Sequence, residues 1–156
     1  MGTAQNEITL VIKKESIKTD WIADISVMHT KFGVNPVIRI LDREKLRQFL
    51  QFRIDFLYEE LNELNDALND PAFTKDRADE TVDALIDLCV VAIGTLNAFD
   101  VDSYEAWNRV FAKNMEKNPG INANRPNPFN LPDLIKPQNW QPPSHKDNVG
   151  LLAKIF

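Results

Sequence analysis

Four carboxylates recur at helical intervals in two stretches of the sequence. Glu60 and Glu63 in YEELNELNDAL and Glu80 and Asp83 in DETVDALID each stand three apart, with 16 residues between the pairs. Side chains three and four apart share a helix face. Phe56, Glu60, Glu63 and Ala67 therefore form one stripe, and Asp76, Glu80, Asp83 and Asp87 form another. Like charges at such spacings cost about 0.2–0.5 kcal/mol per pair on an exposed helix, and more where water is excluded. The chain has 18 basic residues and places Arg77 alone beside these acids. An external cation would neutralise them. Hard divalent ions suit oxygen ligands, so Mg²⁺ is expected, with Mn²⁺ possible, at a site that keeps room for substrate phosphates. A di-iron bundle would need Glu-x-x-His, yet Ser26 and Pro142 stand three residues before the two histidines, His29 and His145. Zinc is equally unsupported, with two histidines and one cysteine. The plain alternative is a solvated acidic face on an amphipathic bundle.

Helices must position these acids. Thr19 or Asp20 can cap a first helix through WIADISVMHTKF, which Gly33 stops and Pro36 seals, leaving PVIRI as a linker or brief extended segment. Asp42 caps a second, in which Leu50, Ile54, Leu57, Leu61, Leu64 and Leu68 make a seam of helical period. Asn69, Asp70 and Pro71 end it, and DPAFTKD connects to a third helix from about Arg77 to Asn97. That helix is apolar around most of its circumference, including Cys89, and is expected to be the most buried. A fourth follows Asp102 or Ser103, carries Tyr104, Trp107, Val110, Phe111 and Met115, and ends near Asn118-Pro119-Gly120. The fold class is therefore all-α, a four-helix-type bundle whose several apolar faces suggest a core shared between subunits. NEITLVIKK (6–14) reads as a strand or a loose arm. Beyond residue 118, seven of the nine prolines fall between Pro119 and Pro143, an extended tail with Trp140 and NPFNLPDL as apolar anchors. The division is an arm at 1–18, a helical catalytic domain at 19–118 and a tail at 119–156 that packs on the body or a partner subunit.

With 156 residues, 44% hydrophobic and 26% charged, the chain has the balance of one soluble globular domain. Its net charge of −5 is wrong for a nucleic-acid partner, which needs a basic footprint. A lone cysteine forms no internal disulfide. No basic region followed by a long apolar run opens the chain, and the apolar run LIDLCVVAIGTL (85–96) is shorter than a bilayer span. The expectation is a cytoplasmic protein with no membrane partner.

The four-acid pattern, E-L-N-E at 60–63 and E-T-V-D at 80–83, resembles the all-α nucleotide pyrophosphohydrolases. That superfamily comprises the MazG-type enzymes, dimeric dUTPases and phosphoribosyl-ATP pyrophosphohydrolases. MHTKFGVNP (28–36) is similar to the segment closing its first helix, and RVFAKNMEKN (109–118) to its Asn-x-x-Lys element. The resemblance spans roughly residues 20–118; the tail has no counterpart in the minimal pattern. It implies Mg²⁺-dependent cleavage of a nucleoside triphosphate between the α and β phosphates, giving a monophosphate and pyrophosphate, by a homodimer or dimer of dimers.

On that reading Glu60, Glu63, Glu80 and Asp83 hold the ion. A carboxylate not committed to metal takes the proton of the attacking water. Lys113, Asn114 and Lys117, with Arg109 one turn earlier and Arg125 from the tail, are candidates for the distal phosphates. His29 is a candidate donor to the base or ribose, and Phe32, Trp21 or Phe56 could wall the base. Each aromatic is equally a core residue by type, and each lysine a surface one. The competing readings are a phosphoribosyl-ATP pyrophosphohydrolase and a non-catalytic helical interaction protein.

Overall fold

The computed structural model describes residues 20–72, 75–125, 127–129 and 131–156. The reading of residues 6–14, the arm at 1–18 and the cap at Thr19 lie outside the described residues. Asp20 caps helix α1 (Trp21–Phe32), its carboxylate accepting from the backbone N–H groups of Ile22 and Ala23, both at 3.2 Å. Gly33 ends α1 in the left-handed region, φ 68°, where it returns its N–H to the carbonyls of His29 and Thr30. The segment expected to be extended is instead a short helix, α2 (Val34–Arg39). Pro36 falls in its first turn, where a backbone N–H has no intrahelical partner to lose, so the proline helps to start a helix there.

Asp42 accepts from the N–H of Lys45 at 2.9 Å and starts the long helix α3 (Arg43–Asn69). Helix α4 (Lys75–Ala98) follows after a short connection and returns antiparallel along α3. The register is visible in three rungs. Arg53 bonds Thr95, Glu60 senses the charges of Asp87 and Asp83, and Asp70 pairs with Arg77. Helix α1 lies across the far end of α4, tied by His29 to Asn97. Asp102 caps helix α5 (Ser103–Met115). The architecture is all-α, with one small exception in the tail.

That exception is a two-stranded antiparallel ladder, β1 (Asn118–Gly120) with β2 (Asp133–Ile135). The rest of the tail returns to the body. The indole N–H of Trp140 donates to the Lys113 carbonyl at 3.0 Å. Asn148 bonds both the N–H and the C=O of Asp102. The N–H of Leu151 donates to the Phe99 carbonyl at 2.7 Å, opening a 3-10 turn at Gly150–Lys154. Ile155 then enters a core cluster with Ile38, Leu46, Ala98, Phe99 and Val101, among which Leu46 and Phe99 are fully buried.

The core therefore sits at the end where α2, the start of α3, the end of α4 and the chain terminus meet. As its composition suggests, α4 is the most enclosed of the described helices, although one side of it stays open. On α4, Ala84, Val91, Gly94 and Ala98 are enclosed, while Val82, Leu85 and Ile86 are exposed by 61%, 47% and 42%. Among the described residues α3 and α1 make most of the contacts with this helix, and α2 and α5 touch it as well. Asp76–Ala98 has a mean hydropathy of 1.6 with 22% of the apolar window buried, so by length and composition it could cross a membrane. The 12-residue run taken from sequence understated it. The same helix carries Asp83 and Asp87 within that apolar stretch.

Candidate metal and nucleotide site

The α3–α4 hairpin brings the acids together because both stripes flank the seam along which the helices pack. Glu60 is the centre. Its Oε2 is withdrawn from solvent and has no hydrogen-bond partner among the described residues. Burial raises its pKa above the ordinary carboxylate value, and the charges of Asp87, Glu63, Glu59 and Asp83 add to the effect in that order. Glu63 and Asp83 are thus placed beside Glu60 as their spacing suggests. Glu80 is turned elsewhere, paired with Arg77, which also binds Asp70. Asp87 and Glu59 belong to the cluster and were not among the sequence-derived ligands. Asp87 stood on the stripe, one turn beyond Asp83, and Glu59 adjoins Glu60.

A cation fits this cluster in a particular way. An orphaned, desolvated carboxylate oxygen surrounded by like charges lacks a counter-ion. Among the described residues, no three histidine, cysteine or acidic side chains converge closely enough to enclose an ion alone. Carboxylate oxygens of this kind would suit a hard divalent ion such as Mg²⁺.

The basic candidates are largely engaged. Arg109 holds Glu105 at 2.8 Å, Asp147 at 2.6 Å and the Ser144 carbonyl at 2.9 Å, and so pins the tail. The Arg109 guanidinium brings the pKa of Asp147 down to about 2. Lys113 pairs with Glu116 at 2.7 Å, and Arg125 with Asp133 at 2.5 Å. Lys117 donates to Asn114 Oδ1 at 2.8 Å and lies 5.1 Å from the Trp140 ring centre, so Asn114 and Lys117 form a unit that no carboxylate joins among the described residues. Phe32 and Trp21 are exposed at the two ends of α1.

His29 lies between α1 and α4. Its Nδ1 is 2.8 Å from Asn97 Oδ1, an acceptor, which selects the Nδ1–H tautomer and leaves Nε2 as a base. Burial, and to a lesser extent the charge of Arg53, lower its pKa against the opposing bond to Asn97. Arg53 itself escaped the sequence reading. It stands seven residues before Glu60, two helical turns along the same face, a spacing that could have revealed it.

Set beside known proteins, residues 39–114 match the family described as phosphoribosyl-ATP pyrophosphohydrolase. A search of the curated proteins returned no match. The matched span takes in α3, α4 and α5 up to Asn114, and with them all four acids of the motif. The helical body at 39–114 thus matches a family of all-α nucleotide pyrophosphohydrolases, hydrolases that act on phosphoric anhydrides.

Proposed function

We propose that this chain cleaves the α–β phosphoric anhydride of a triphosphate-bearing nucleotide, with Mg²⁺ or Mn²⁺ held by Glu60, Glu63, Glu80 and Asp83. The observation that carries this reading is the buried, unpartnered Oε2 of Glu60 amid four further acids. A bound divalent ion would offset the charge of the phosphates. Glu80, paired with Arg77, would have to leave that partner to join the other three acids. Asp87 and Glu59 are the acids left over beside Glu60, and Asp87, whose charge acts on Glu60 more strongly, takes the proton from the water that attacks phosphorus. The P–O bond of the anhydride breaks, pyrophosphate leaves, and the nucleotide remains as a monophosphate. Asn114 and Lys117 carry the donor groups for the leaving phosphates.

The family match favours phosphoribosyl-ATP as the substrate. A second reading, MazG-like hydrolysis of ordinary (d)NTPs, draws support from His29. That residue, the candidate donor to a base, stands on α1, outside the matched span. The exposed face of Val82, Leu85 and Ile86 favours a second copy of the chain as partner, in a homodimer or dimer of dimers. The test is a pyrophosphate-release assay with phosphoribosyl-ATP and a panel of NTPs and dNTPs, in Mg²⁺, Mn²⁺ and EDTA. Metal-dependent pyrophosphate with a matching monophosphate is the expected result and ranks the two substrate classes. Metal binding with no release from any substrate would leave the interaction-protein alternative.

A further inference from the structure

Helix α4 presents its polar groups in a fixed order along the groove it shares with α3 and α1. Asp83 and Asp87 come first, the carbonyl of Val91 follows about 6 Å beyond Asp87, and Asn97 lies about 9 Å further along. The guanidinium of Arg53 occupies the middle level. Its Nε donates to Thr95 Oγ1 at 3.0 Å and its Nη2 to the Val91 carbonyl at 2.9 Å, while its Cζ lies 5.7 Å from the Phe56 ring centre. The imidazole of His29 marks the next level, held by Asn97.

Three features set Arg53 apart. It is part-buried, yet both of its acceptors are neutral and no carboxylate pairs with it among the described residues. Arg39, Arg77, Arg109 and Arg125 each have a carboxylate partner, and Arg43 and Arg47, which have none among the described residues, are exposed. Burial lowers its pKa with nothing to offset the loss of water, and Nη1 makes no hydrogen bond among the described residues. A desolvated, uncompensated charge is costly, and an anion relieves it. Thirdly, the buried Gly94 lets the guanidinium and the imidazole pack together against α4. A Cβ there would come within 3.0 Å of Arg53 Nη2 and 3.1 Å of His29 Nε2.

We propose that Arg53 binds the α-phosphate of the substrate, the phosphate that stays on the monophosphate product. The groove runs acids, guanidinium, imidazole; a nucleotide runs distal phosphates, α-phosphate, sugar and base. The inference rests on the reaction proposed above for the order of the ligand, and it holds for either substrate class. A planar guanidinium with a free edge suits a phosphate better than an ammonium does. The rival role is a staple in which Arg53 only ties α3 to α4.

The test is binding by the full chain in EDTA, followed through the His29 ring signals in NMR. The probes are ribose 5-phosphate, the four nucleoside 5′-monophosphates, their nucleosides and inorganic pyrophosphate. In the wild type, at least one monophosphate should bind about tenfold or more tightly than its nucleoside, a margin of about 1.4 kcal/mol. Arg53→Gln should abolish that margin while leaving nucleoside and pyrophosphate binding unchanged, and Arg53→Lys should restore part of it. Thr95→Val removes one staple contact but keeps the charge, so the margin should survive; this variant and Arg53→Lys carry the test if the glutamine variant does not fold. Equal weakening of nucleoside and monophosphate, weakening of pyrophosphate instead, or no margin in the wild type would each overturn the assignment. Turnover is read separately. A chain that prefers monophosphates but releases no pyrophosphate keeps this site and loses the proposed reaction.

Discussion

Replacing Glu60 with glutamine should stabilise the metal-free protein, because the carboxylate stands among like charges with one oxygen desolvated and unpartnered. The sign follows from its pKa, which is raised on folding from an ordinary value of 4.5. The folded state holds that proton more tightly than the unfolded one, so stability falls as pH rises from about 4.5 through the folded value. Below that window wild type and variant should melt together; above it the variant should lead. Four acidic neighbours at a few tenths of a kcal/mol each, discounted for solvent screening, make roughly 1 kcal/mol. For a chain of this size that corresponds to about 2–4 °C in Tm. Differential scanning calorimetry in EDTA at low salt, at pH 4.5 and pH 7.5, measures it directly. Added Mg²⁺ should reverse the ranking, since the wild type gains stability from the ion and Glu60→Gln gains less. A variant that melts at or below the wild type at pH 7.5 in EDTA would falsify the idea that Glu60 is a strained, counter-ion-seeking group.

Three further outcomes follow. Arg77→Gln frees Glu80 from its ion pair, and Mg²⁺ affinity measured by calorimetry should rise about 1.5- to 5-fold, the worth of an exposed pair; weaker binding would mean that Arg77 organises the site. Gly150→Ala should release the C-terminal segment, because φ is 51° there and a Cβ would collide with the backbone carbonyl of Phe99. Hydrogen exchange at Leu151 and Leu152 should accelerate at least tenfold, and unchanged protection would contradict the close packing. Leu85→Lys places a charge on the exposed face of α4; sedimentation velocity should show smaller species than the wild type, whereas an unchanged distribution would locate self-association elsewhere.

Much of the fold was legible because local chemistry decided it. Asp20, Asp42 and Asp102 cap the helices that their types and positions suggested, and Gly33 ends α1 in the one conformation it tolerates best. The misreading of Pro36 has a different origin. It was taken as a helix terminator, although in a first turn it is a helix starter, and only the path of the chain distinguishes the two. The burial of α4 was legible in its apolar composition, whereas which residues of that helix stay exposed, Val82, Leu85 and Ile86 among them, depends on where its neighbours lie.

The site was legible in its charges and obscure in its pairings. Spacing alone put Glu60 and Glu63 on one face and Asp83 on another, and it extended to Asp87 once the antiparallel register was known. It could not show that Glu80 is turned to Arg77, because that choice depends on Asp70 arriving from the end of α3 to share the guanidinium. Nor could it separate the cations of α5 and of the residues just after it by task. Arg109, Lys113 and Lys117 look alike in sequence, yet the first two have carboxylates and the last has an amide and an indole. An ion pair costs a cation its availability to phosphate, so the difference in partners is a difference in function. The same reasoning singles out Arg53, which has no carboxylate partner among the described residues and lies on the face that carries Glu60. A charge left uncompensated in the resting protein marks the place where the substrate has to supply the compensation.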